Sequence, residues 1–177
     1  MTRLALVAPE EMPEATREFV DRRGVLAVFR LLANAPAVFA GWTRMVDEVL
    51  DSPTFSPRMR ELVILRVAYL QASSYEMGQH IDFGRDAGIS QHQLDAVTSG
   101  RDLAAAGFDD TELAVLQFVT ELCTTKHVGD ETFASARVAL GDEALTELLI
   151  LISLYYGLAL VLNAAELELD ETARLRA

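Results

Sequence analysis

One cysteine, Cys123, and three histidines are all the thiol and imidazole that the 177 residues offer. A single thiol excludes an internal disulfide and any cysteine-rich metal site, and it fits a reducing cytoplasm, where the protein is expected. Cations are scarce as well: 15 Lys and Arg stand against 27 Asp and Glu, a net charge of −12. No block of Lys and Arg exists to grip a polyphosphate backbone, so nucleic acid is not an expected partner. Period-two alternation is missing, which argues against sheets. The apolar patch from Leu4 to Ala8 is broken at once by Pro9, Glu10 and Glu11, too short for a signal peptide. The one long apolar run, LLILISLYYGLALVL from Leu148 to Leu162, is fifteen residues. Crossing hydrocarbon takes roughly 18 to 20. Its flanks are acidic, and a helix apolar all round is expected in a core or an oligomer interface rather than in a membrane.

What is present is helix-forming sequence. The chain is 51% hydrophobic and 24% charged, enough for a real core and incompatible with a disordered tail. Apolar spacing and turn signals predict helices over Glu14–Arg22, Val25–Ala33 and Ala37–Leu50, the last with Asn34 as cap and Pro36 in its first turn. Pro57 opens a helix to about Ala72, and Ser74–Ala87 follows almost without a gap, ending at Gly88. Ser90 caps a short helix to about Thr98, and Asp109, Asp110 and Thr111 start another to about Thr125. Glu131–Ala139 is followed by Gly141 and Asp142, which lead into the apolar helix ending near Leu167. No repeat, low-complexity tract or linker interrupts the pattern. The expectation is one all-α domain over residues 1–177, a bundle of about eight or nine helices.

The stretch SSYEMGQH, from Ser73 to His80, has two readings. Ser73 and Glu76 have the spacing of a capping box, in which each side chain satisfies the other's backbone amide. Glu76 and His80, four apart on one helix face, have the spacing for a carboxylate–imidazole pair that moves protons near neutral pH. A metal reading fails on pattern: carboxylate-bridged bundles supply a Glu-x-x-His step twice, whereas here the step is longer and occurs once. No metal or cofactor is therefore expected. One helix earlier, Arg66 interrupts an apolar run. Its stem can pack while its head reaches water or a structural carboxylate, or the head can hold a ligand.

The stretch SPRMRELVILRVAYLQASSYEMGQHIDFGRDAGIS resembles the core of the carboxymuconolactone decarboxylase family, which shares its fold with alkylhydroperoxidase D-type proteins. The resemblance extends through VFRLLANAPAVFAGW and LYYGLALVLNAAELELD, so that it covers about residues 25–170. The redox branch carries Glu, eleven residues, Cys, two residues, Cys, three residues, His. Here that spacing holds Glu61, Ser73, Glu76 and His80. Both thiols are replaced, and peroxide reduction through a thiolate and a resolving thiol has no residues to run on.

The decarboxylase branch carries a Glu four residues before its His. That resemblance implies a cofactor-free acid/base enzyme that decarboxylates or isomerises a small carboxylated or lactone-type substrate. It implies His80 as proton donor or oxyanion stabiliser, Glu76 setting its charge and tautomer, Glu61 relaying protons, and Tyr75 donating a hydrogen bond. Arg66 and Arg58 are the candidates for holding a substrate carboxylate, with Ser73 and Tyr155 as further binding residues. Trimers or hexamers are implied too. The alternatives are a peroxide-detoxifying protein of the alkylhydroperoxidase type and a non-catalytic helical binding or assembly protein. Of the other polar residues, His92 is expected on the surface and His127 at a helix C-terminus, where the dipole favours a cation. Tyr155, Tyr156 and Asn163 line either a pocket or an interface.

Overall fold

The computed structural model describes residues 2–170. Among these are eight α-helices and no strand: α1 (Glu14–Arg23), α2 (Ala27–Leu32), α3 (Pro36–Asp51), α4 (Pro57–Leu70), α5 (Ser74–Asp86), α6 (Gln91–Val97), α7 (Asp110–Thr125) and α8 (Asp130–Ala165). They group into two compact units, one running to Ser52 and resuming at Leu162, the other from Pro53 to Val161.

The first unit is built on aromatic packing. Phe19 of α1 meets Phe29 of α2 edge-on at 4.9 Å and Phe39 of α3 at 6.1 Å, while Phe39 stacks on Trp42 at 5.8 Å. Arg22 and Arg23, at the C-terminal end of α1 where cations suit the dipole, reach Asp47 and Asp51 of α3. Asn34 was expected to cap α3. Instead its amide donates to the Ala5 and Leu31 carbonyls, and the cap position falls to Ala35, whose side chain has no acceptor. A short Asn satisfies the end of α2 just as well as the start of α3, and spacing alone does not separate the two.

The second unit holds the SSYEMGQH stretch. Its centre is α4, in which every residue from Glu61 to Ala68 is buried. That helix packs against α5 and α7. Leu62 and Leu65 join Ile89, Leu94, Val97, Leu103 and Leu116 in one apolar cluster that seats α6. Ser56 caps α4 by accepting from the Met59 amide, with Pro57 in the first turn. Ser90 and Asp109 each form a complete capping box, for α6 and α7. In α8 the backbone is non-helical at Gly141 (φ 77°, ψ 171°), where the sequence placed a boundary. By length and composition alone, α8 is long and apolar enough to cross a membrane, a test that the core helix of a soluble protein also passes. Leu145, Leu148, Leu151, Ile152 and Tyr155 are buried, and Leu149, Ile150 and Leu160 are exposed.

Candidate active site

The site forms where α4 hands over to α5. The last turn of α4 closes with the Ser73 amide on the Ala68 carbonyl at 2.8 Å. Ala72 takes a left-handed conformation (φ 52°), where a Cβ is strained by roughly 1 kcal/mol or more. That reversal folds α5 back along α4, so residues 19 positions apart come face to face. Glu61, in the second turn of α4, accepts a hydrogen bond from His80 Nδ1 at 2.7 Å. Both side chains are largely buried, 12% and 16% exposed. The ring of His80 is held edge-on by Phe83 at 5.7 Å and by Tyr155 of α8 at 5.4 Å.

Glu76 lies one turn before His80 and is only 2% exposed. Neither of its carboxylate oxygens has a hydrogen-bond partner, and neither does the hydroxyl of fully buried Ser73. Desolvation pushes the Glu76 carboxyl up to about 7; Ser73 and His80 lie close enough to oppose that rise, but no well-formed bond joins them to it. Tyr75 is buried beside it on the first turn of α5.

Several expectations need correcting. Ser73 occupies the N-cap position of α5, but its side chain makes no capping bond, so the capping box does not form. The partner of His80 is Glu61, not Glu76: helical spacing puts Glu76 and His80 near each other, but the reversal at Ala72 offers the imidazole a better-aligned carboxylate from another helix.

Neither arginine is available to a substrate carboxylate. Arg58 forms a fork on Glu112, with Nε to Oε1 at 2.6 Å and Nη2 to Oε2 at 3.3 Å, and also donates to the Gly88 carbonyl and the Gln93 side chain. Arg66 donates to Thr120 Oγ1 and to the carbonyls of Val97 and Ser99, and its guanidinium lies over the Tyr69 ring at 5.3 Å. Both arginines serve helix ends, a use that leaves no trace in spacing. Phe83 is the site residue the sequence reading missed; its place three residues after His80 was the available signal.

A hollow of about 290 Å³ is lined by Leu122, Cys123, Lys126, Leu149, Ile152, Ser153 and Tyr156, none of which belongs to the His80 cluster. Cys123 is buried there, and burial raises its thiol to about 11. Lys126 caps it, donating to the Cys123 carbonyl and lying over the Tyr156 ring. His92 and His127 are exposed. Among the described residues no group of three His, Cys, Asp or Glu is placed to hold a metal ion.

An all-helical chain with a carboxylate–imidazole pair set across one helix reversal has well-defined structural company. An alkylhydroperoxidase D core, an uncharacterized peroxidase-related protein from Ralstonia eutropha JMP134, superposes with a TM-score of 0.84 at 18% identity, over 98% of this chain and 95% of that one. An uncharacterized peroxidase-related protein from Silicibacter sp. TM1040 gives 0.82 at 14% identity, over 97% and 93%. The debrominase Bmp8, in complex with 2,3,4-tribromopyrrole, gives 0.81 at 11% identity, over 99% and 97%. The fold is therefore that of the alkylhydroperoxidase D-like proteins. Residues 36–121 match the model of the carboxymuconolactone decarboxylase family. No curated protein matches the sequence.

Proposed function

We propose that the protein is a cofactor-independent acid/base enzyme that moves a proton within a small lactone-type or related carbonyl substrate. The observation that carries this reading is the pairing of one imidazole, fixed by Glu61, with one buried and unbonded carboxyl, Glu76. With Nδ1–H donated to Glu61, the lone pair of His80 is left on Nε2, where a base is needed. Glu76, poised at about 7, supplies the complementary acid. His80 Nε2 takes a proton from the carbon next to a carbonyl, and the C–H electron pair moves into that carbonyl. Glu76 gives its proton to the oxygen, forming the enol. His80 then returns its proton to carbon at another position of the conjugated system while the enol O–H gives its proton back to Glu76, which completes an isomerisation with no net gain or loss of atoms. The unavailability of Arg58 and Arg66 favours the lactone branch of the sequence reading over the carboxylated one.

Deuterium uptake at carbon, followed by proton NMR across a panel of butenolides and lactones in heavy water, tests the proposal. Uptake is expected with the wild-type protein and is expected to slow by about 10²-fold or more in His80→Ala and Glu76→Gln. A His80→Ala variant that exchanges as fast as wild type overturns it.

A further inference from the structure

Ser73 Oγ and both oxygens of Glu76 are buried polar atoms with nothing bonded to them, and a folded chain leaves few of these. Their surroundings decide what fits. From its own helix, Glu76 feels His80. On α4 the charged groups are Arg58, bonded to Glu112, Gly88 and Gln93, Arg60, bonded to the Phe55 carbonyl, Glu61, bonded to His80, and Arg66, bonded to Thr120, Val97 and Ser99. On α8, Tyr155 packs against His80 through its ring. An incoming anion would therefore meet two carboxylate side chains and no guanidinium free to receive it, whereas an O–H or N–H group would meet open acceptors.

We propose that the group this site receives is an uncharged hydrogen-bond donor, a hydroxyl, enol or N–H, seated on Ser73 Oγ and the Glu76 carboxylate, and that Glu76 excludes ligands carrying a carboxylate. This names the substrate class of the proton-transfer site and rests on that reading. Glu76 is then a specificity-determining residue as well as a proton holder. Ser73, whose hydroxyl both donates and accepts, recognises the same group.

Binding, measured without turnover, separates this inference from the reaction. Isotope-labelled protein is titrated at pH 8 with three probes: α-hydroxy-γ-butyrolactone, the hydroxyl-free γ-butyrolactone, and the anion 5-oxotetrahydrofuran-2-carboxylate. NMR shifts of the Glu76 side chain and the His80 ring give the affinities. The hydroxy-lactone is expected to bind at least tenfold tighter than the carboxylate, a gap that shrinks below threefold in Glu76→Gln. Ser73→Ala is expected to remove the preference for the hydroxy-lactone over γ-butyrolactone.

Should Glu76→Gln fail to fold, the wild-type protein supplies the same test. Discrimination against the carboxylate weakens from pH 8 to pH 5.5, as Glu76 takes up its proton. A carboxylate probe that binds as tightly as the hydroxy-lactone at pH 8, a gap indifferent to both Glu76→Gln and pH, or no binding of the hydroxy-lactone overturns the inference. Selective binding without deuterium exchange would instead sink the proton-transfer reading and leave this one standing.

Discussion

Arg58 and Glu76 are both charged groups drawn into the interior of one helical unit, and the chain treats them in opposite ways. Arg58 meets the Glu112 carboxylate, the Gly88 carbonyl and the Gln93 amide oxygen. Its partners are satisfied in turn: Glu112 also accepts from the Asp109 amide and Gln93 donates to the Gly107 carbonyl. The network ties α4 to the starts of α6 and α7 and leaves nothing over for a ligand. Glu76, by contrast, is more deeply buried and has no well-formed hydrogen bond. A closed polar cluster secures a fold, while an open one stores unfavourable desolvation that a ligand can relieve. The arginine that resembled a substrate clamp is thus structural, and the glutamate that resembled a helix cap is the buried group left without a well-formed hydrogen bond.

The comparison breaks most directly through stability. Arg58→Ala leaves the 8%-exposed Glu112 side chain without its cation and is expected to cost about 3 kcal/mol in urea unfolding. Glu76→Gln should have the opposite sign above neutral pH. A carboxyl raised from 4.5 to about 7 binds its proton more tightly in the folded chain. That stabilisation is complete below pH 4.5 and declines as pH rises toward 7. Above that it is gone, a total change of roughly 3 kcal/mol for the raised pKa. Unfolding free energies measured from pH 4 to pH 8 should show this decline in wild type and lack it in Glu76→Gln. A decline that persists in the variant would assign it to another group.

Much of the fold was legible in the sequence because helix ends are written locally. Ser90 and Asp109 cap as their spacing predicts, and Gly141 breaks the helix where a boundary was expected. Of the candidate site, only proximity was legible. Glu61, Ser73, Glu76, His80 and Tyr155 gather around one helix reversal, but who bonds whom depends on how α5 folds back over α4. That path is set by a left-handed Ala72, a residue type that gives no warning of such a conformation. The fates of Arg58 and Arg66 were hidden for the same reason. Their acceptors are carbonyls and side chains 30 to 54 positions away, brought near by the packing of α4 on α6 and α7.

The smallest expected effect is also the sharpest contrast, because it compares two serines in the same formal position. Ser90 precedes α6 and Ser73 precedes α5, and each is followed three residues later by a side chain able to complete a capping box. Only Ser90 does so, its hydroxyl accepting from the Gln93 amide at 3.3 Å. Ser90→Ala is therefore expected to lower stability by about 1 kcal/mol. Ser73→Ala removes a buried hydroxyl that makes no well-formed bond, so it should leave stability within about 0.5 kcal/mol of wild type or raise it slightly. Thermal unfolding of the two variants side by side decides the matter. Equal losses would mean that Ser73 caps α5 after all, and the unbonded pair at the heart of the site would be reduced to Glu76 alone.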